Sequence, residues 1–170
     1  MREEKVLKNA TVCFLRKGDS ILLAKKTRKI GMGKWNGYGG GIDDGESIEE
    51  SAVRELLEES GVVVQHSALR KIAIVNFHNI KRDGTTFLLR MHAFEIWEWQ
   101  GEPHESEEMS TPTWFLLSEL AQQEMMPADS VWLPRALSGE NILASAYYMP
   151  FQQELIGEVA IEIVDEFPVN

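Results

Sequence analysis

Seven of the fifteen residues from Gly31 to Gly45 are glycine. A stretch with so few side chains cannot build its own apolar face, and each glycine raises the entropy cost of ordering the backbone. Such a cost is offset where the chain takes a tight path or approaches a ligand closely. The phrase is neither GxxxxGK[ST] nor a GxGxxG that opens a helix, so P-loop and dinucleotide-binding folds gain little support. It leads directly into the clearest helix in the chain. Ser47 with Glu50 three residues later forms a capping box, and Gly61 is a C-terminal stop, which predicts a helix over 47–60. Ile48, Ala52, Val53, Leu56 and Leu57 recur at helical spacing and are expected to form its buried stripe.

The flanking segments read mainly as strands. Residues 6–15 form one, with Cys13 as a small buried apolar residue. Lys17-Gly18-Asp19-Ser20 is a turn into a second strand over 21–24, giving a hairpin. Short strands are expected at 62–64 and 71–77, followed by a turn at Asp83-Gly84 and a long strand over 86–99. Residues 101–111 form an acidic loop before a strand over 113–117. Ser118 is a candidate cap for a short helical segment. A second helix is expected over 130–137, with Pro134 tolerated only in a first turn. Residues 142–164 supply one or two more strands. We find no repeat or linker, and the pattern describes one mixed α/β domain over residues 5–165.

Charge narrows the function classes. The 170 residues carry 17 Lys and Arg against 27 Asp and Glu, a formal net charge of -10. An acidic surface argues against binding a nucleic-acid polymer, but not against a small anion held through a cation. One cysteine excludes an internal disulfide and a cysteine-based zinc cluster. No segment has the roughly 20 apolar residues of a membrane helix, and the first ten residues lack the apolar core of a secretory signal. A cytoplasmic protein, monomeric or homodimeric, is the expectation. The four histidines fit no HExxH or triad spacing, and no GxSxG is present.

Glu55, Glu58 and Glu59 fall on one face of the predicted helix, where like charges repel by roughly 0.2–0.5 kcal/mol per pair. A hard divalent cation such as Mg²⁺ removes that penalty. Together with the preceding loop, the residues spell Gly40-x5-Glu46-x7-Arg54-Glu55-Leu56-x-Glu58-Glu59-x-Gly61-Val62. This matches the Nudix box at every defined position, and the sequence resembles the Nudix hydrolases. The resemblance implies a Nudix fold, with a mixed β-sheet sandwiched between helices. It also implies cleavage of nucleoside diphosphate derivatives by water, with Mg²⁺ or Mn²⁺ as cofactor. Glu55, Glu58 and Glu59 are then the metal ligands, with the Gly39 carbonyl as a further one, and Arg54 orients a carboxylate. Glu59 is the favoured proton acceptor for the attacking water. Outside the box, Glu108 is the first candidate for metal binding or catalysis, with Glu105 and Glu107 as rivals.

The likeness extends to the Nudix subgroup that sanitises oxidised purine nucleoside triphosphates. It is carried by 34–40 (Lys-Trp-Asn-Gly-Tyr-Gly-Gly), Lys25-Lys26, Trp114-Phe115 and Asp129-Ser130-x-Trp132-x-Pro134. It implies that Asn36 and Asp129 read the base edge. The subgroup's stacking tryptophan falls at Met126, its second aspartate at Ala128 and an aromatic at Ile30. Met126 can still pack on a ring, and Phe77 or Trp132 is a candidate for aromatic contact or for ordinary core packing. Trp35 either contacts substrate or anchors its loop. Within the basic stretch Lys25, Lys26, Arg28 and Lys29, Lys26 is the candidate phosphate contact, against the plainer reading of a solvated face. The expected activity is hydrolysis of nucleotides such as 8-oxo-dGTP to the monophosphate and pyrophosphate. The alternatives are another Nudix substrate (a different nucleoside triphosphate, ADP-ribose or a dinucleoside polyphosphate) and a non-catalytic nucleotide-binding module.

Overall fold

The structure, a computed structural model, describes residues 8–169. Strand β1 (Asn9–Lys17) is buried on both faces. Val12 and Phe14 face one apolar cluster, and Cys13 and Leu15 face another. Alternation with apolar residues on both sides belongs to a strand held between two layers. Strand β2 (Ser20–Lys26) repeats it, with Ile21 and Leu23 against Leu22 and Ala24. The expected start of β1 at Val6 falls outside the described residues.

The hairpin between β1 and β2 is shorter than the sequence suggests. Only Arg16 and Lys17 pair with Ile21 and Ser20, and the strands then diverge. Strand β1 runs antiparallel to β4 (Tyr38–Gly41) and parallel to β6 (Thr86–Ile96). Beyond β6 lie β5 (Arg70–Ile80), β8 (Ile142–Tyr148) and β9 (Ala160–Ile163). Strand β2 pairs with β3 (Trp35–Asn36) and with β7 (Met109–Leu116). The sheet is mixed, as expected.

Helix α1 (Ile48–Ser60) packs through Ala52 and Leu56 on the cluster that holds Cys13, Leu15 and Tyr38. Helix α2 (Asp129–Leu137) packs through Trp132, Leu133 and Ala136 on the opposite cluster. The sheet thus lies between two helices. Some local expectations need correction. Leu57 is about half exposed rather than part of the stripe, while Glu59 is buried. Residues 62–64 form no strand, only a bridge from Val63 to Gln100. The short 3₁₀ segment Leu117–Gln122 is preceded by Leu116 in extended conformation, so Ser118 does not cap it, and Pro134 lies in the second turn of α2. Among the described residues, no helix is long and apolar enough to cross a membrane.

Candidate active site

The register of α1 is fixed at both ends. Ser47 Oγ accepts from the Glu50 N–H at 3.0 Å, and the Glu50 carboxylate accepts from the Ser47 N–H at 2.8 Å. Gly61, in the left-handed region at φ 77°, donates to the Leu57 carbonyl. This places Glu55 and Glu59 against β4. Glu59 Oε1 accepts from the Gly39 N–H at 2.7 Å. The Glu55 carboxylate occupies the space where a side chain on Gly40 would begin, 2.5 Å from an ideal Cβ. Gly39 is required from the other side, since a Cβ there would collide with the Thr11 carbonyl oxygen. The glycine run is therefore a strand squeezed between β1 and the acidic helix.

Arg54 ties the box together. Its Nε and Nη2 donate to Glu46 at 2.7 and 2.9 Å, and Nη1 reaches Glu55 at 3.0 Å and Glu58 at 3.2 Å. Nη2 also donates to the Gly41 carbonyl at 3.1 Å. A planar fork is needed to hold so many acceptors at once.

The acidic loop is pinned to the end of α1. The His104 N–H donates to the Ser60 carbonyl, and the ring lies so close to Gly61 that a Cβ there would collide with Nε2. The loop brings Glu108 close enough to Glu59 for the two carboxyl groups to raise or lower each other's affinity for a proton. Glu105 accepts from the Thr111 N–H and is turned back into its own loop, while Glu107 joins Glu108 along the cleft.

Burial, together with Glu55 and Glu108, raises the Glu59 carboxyl well above the usual carboxylate range. Glu55 is also raised, mainly by burial. Glu108 is lowered by its hydrogen bond from Arg28. Half-buried and buried carboxylates that raise one another's pKa in this way are suited to receive a cation. The donors are oxygen atoms, which fits a hard divalent ion. No preformed cage of three or more histidine, cysteine or acidic side chains exists among the described residues. The carboxylates are held by Arg54, the Gly39 N–H and Arg28 instead.

These groups line one side of an open cleft of about 1740 Å³. Lys26 also lines it, its pKa lowered by burial, within the fields of Glu59, Glu108 and Asp129. The residues expected to read a base, Asn36, Asp129 and Met126, are not among those that line the cleft. Of those, Asn36 is half-buried and accepts the Gly37 N–H at 2.8 Å. Asp129 is buried and accepts the Trp132 Nε1–H at 3.0 Å, and burial raises its pKa to about 6. Met126 is buried beneath Gly31.

The aromatic candidates lie in packed surroundings. Trp132 is fully buried, edge-on to Phe14. Phe77 is buried against Tyr148. Trp35 meets Phe115 edge-on at 4.8 Å, with the Lys25 ammonium 5.1 Å from its ring. None of the three lines the cleft.

The cleft is also lined by residues that sequence reasoning missed. Phe151 and Gln152 both adopt left-handed backbone, at φ 60° and 54°. Gln152 Nε2 donates to Asn79 Oδ1 at 2.9 Å, and the Arg82 guanidinium lies 5.1 Å from the Phe151 ring. The turn at Asp83-Gly84 was legible and carries Arg82 beside it. No local pattern marks Phe151.

A glycine strand laid along a carboxylate-bearing helix, facing a cleft with a basic rim, is the arrangement of an enzyme that handles phosphoanhydrides. The chain belongs to the Nudix family: residues 6–136 match the NUDIX domain. It is 40% identical over 147 residues to the oxidized purine nucleoside triphosphate hydrolase of Danio rerio, covering 86% of this chain and 88% of that protein. The Mus musculus protein of the same name is 36% identical over 158 residues, covering 92% of this chain and 96% of its own. A crystal structure of a MutT protein from Bacillus halodurans superposes with a TM-score of 0.75 at 25% identity, covering 92% of this chain and 98% of that one.

Proposed function

We propose that the protein hydrolyses oxidised purine (deoxy)nucleoside triphosphates, 8-oxo-dGTP among them, to the monophosphate and pyrophosphate. Mg²⁺ is the proposed cofactor, with Mn²⁺ able to replace it. One observation carries this reading. Glu55, Glu58, Glu59 and Arg54 are gathered along Gly39–Gly41 in a chain that aligns over most of its length with hydrolases of oxidised purine nucleotides.

Each residue then has a task. Glu55, Glu58, Glu59 and Glu108 would hold the cation, with the Gly39 carbonyl as a further oxygen ligand. When bound, a divalent cation neutralises the crowded phosphate charge and makes the attacking water more acidic. Glu59, as a carboxylate, would accept the proton of the water that attacks at the α–β linkage. Arg54 keeps the carboxylates in register, and Lys26 binds phosphate oxygens.

Asn36 offers a donor and an acceptor to a purine edge. Asp129, ionised above its raised pKa of about 6, offers acceptor oxygens only, which an N–H on the base satisfies. Together they favour a base with an N–H where guanine has a bare N7, as 8-oxoguanine does. Leaving a buried polar group unpaired costs roughly 1–3 kcal/mol, or about 5- to 150-fold in kcat/KM. Ala128 leaves Asp129 without a second carboxylate, so oxidised adenine nucleotides are expected to be poorer substrates.

The test is a kcat/KM series on 8-oxo-dGTP, dGTP, 2-oxo-dATP and dATP with Mg²⁺, reading the products as well as the rates. The expected result is a preference of at least about tenfold for 8-oxo-dGTP over dGTP, with monophosphate and pyrophosphate released. Equal kcat/KM for the two would end the sanitising reading. Diphosphate with orthophosphate as main products would exclude attack at the α–β linkage.

A further inference from the structure

Glu108 is neutralised from within the chain. Its Oε1 accepts from Arg28 Nη2 at 2.7 Å, and the Lys29 ammonium lies 3.8 Å from the same oxygen. Lys29 adopts a left-handed backbone, at φ 65°. The two loops are also joined through main-chain atoms. The Thr27 N–H donates to the Glu108 carbonyl at 3.0 Å, and Thr27 Oγ1 donates to the Glu107 carbonyl. The loops are therefore fixed to each other at Thr27, and what is free to change is the pairing of side chains.

That pairing exchanges at little cost. The Arg28 and Glu108 side chains are 51% and 40% exposed, and ion pairs this open to water are weak. Both line the cleft. A divalent cation competes with Arg28 for the Glu108 carboxylate. A triphosphate competes with Glu108 for Arg28, because a guanidinium fork fits phosphate as well as carboxylate.

Resting on the proposed function, we infer that Arg28 is a positioning residue with two alternating partners. It holds Glu108 in the free protein and moves to the phosphate chain of the entering nucleotide, which releases Glu108 to the cation. Cation and nucleotide then bind with positive coupling, and by linkage each strengthens the other equally. Bare metal is held weakly, because the protein's own arginine occupies one of its ligands.

The test measures binding, on the full chain, for wild type, Arg28→Ala, Glu108→Gln and the double variant. Mn²⁺ affinity is read by titration calorimetry, alone and with α,β-methylene-dGTP, which cannot be cleaved at the α–β bond. Circular dichroism checks that each variant is folded. Mn²⁺ alone should bind Arg28→Ala about two- to five-fold tighter than wild type, the scale of an exposed ion pair. The analogue should tighten Mn²⁺ binding at least about three-fold more in wild type than in Arg28→Ala. In the Glu108→Gln background, removing Arg28 should leave Mn²⁺ affinity unchanged. Equal Mn²⁺ affinity in wild type and Arg28→Ala, or an Arg28 effect that survives Glu108→Gln, overturns the inference alone. A wild-type protein that binds no Mn²⁺ with or without the analogue overturns the functional reading together with it.

Discussion

The Glu55 carboxylate lies 2.5 Å from the point where a Cβ on Gly40 would stand. The glycine and the glutamate are thus one device, since the missing side chain makes room for the carboxylate. Gly40→Ala should displace Glu55 from the cleft while leaving both core clusters intact. We expect a fall of at least about tenfold in kcat and weaker Mn²⁺ binding, on the scale of a forced overlap costing about 1–3 kcal/mol. A variant with wild-type kcat and metal affinity would show that Glu55 has room to spare.

In the proposed mechanism Glu59 carries the most demanding role. Glu59→Gln keeps the shape and can still accept from the Gly39 N–H, but it cannot take a proton. The expected loss in kcat is at least about 10²-fold in a folded protein. Excess chelator should abolish turnover in the wild type, and Mg²⁺ or Mn²⁺ should restore it. Undiminished activity in chelator would remove the metal from the mechanism.

Arg54 serves five hydrogen bonds with one fork. Arg54→Lys keeps the charge and loses the geometry. Charge-assisted hydrogen bonds are worth about 1.5–3 kcal/mol each, although partial exposure reduces this. We expect kcat to fall about tenfold or more with little change in KM, because the carboxylates lose register while the phosphate contacts remain. Rescue of full activity by lysine would assign Arg54 a purely electrostatic role.

Asp129 gives a prediction in pH. Burial raises its folded-state pKa from 3.8 to about 6. A raised carboxyl favours folding fully below the unfolded value, and that contribution is lost as pH rises through the folded one. An asparagine in its place would stay neutral at every pH and could still accept from the Trp132 indole. Asp129→Asn should therefore be more stable than wild type above about pH 6, by at most about 2–3 kcal/mol, and should lose that advantage by about pH 4. Thermal unfolding at pH 4, 6 and 8 measures it. A difference independent of pH would mean that folding does not shift the Asp129 carboxyl.

Helix α1 was legible because its signals are local. The Ser47–Glu50 box and Gly61 lie within a turn of the ends they define. Leu57 was misplaced because periodicity gives an apolar stripe but not its width. Here the helix rests on glycines, which leave room for Glu55 and the buried Glu59 on the side facing β4, while Leu57 falls on the exposed side. The parallel pairing of β1 with β6 leaves no local trace. The tryptophans were ambiguous for a related reason. An aromatic ring suits a core and a nucleobase equally well, and only the fold turns Trp132 towards Phe14. Phe151 went unnoticed because the left-handed turn it shares with Gln152 is held by Asn79, more than seventy residues away in the chain.

The long-range registers decide what can be transplanted. Asn9 lies opposite Arg90, and Ser20 lies opposite Leu116. A chain ending just before Glu108 would contain the whole signature from Gly40 to Val62. It would lack β7, the strand that holds β2 in place, and it would have neither Glu108 nor the helix that closes the other half of the core. The signature read as a peptide is therefore inert. Only a nearly complete polypeptide can close around the site, so a nascent chain gains its chemistry late and all at once, and the smallest unit that can be moved between proteins with its chemistry intact is the whole domain.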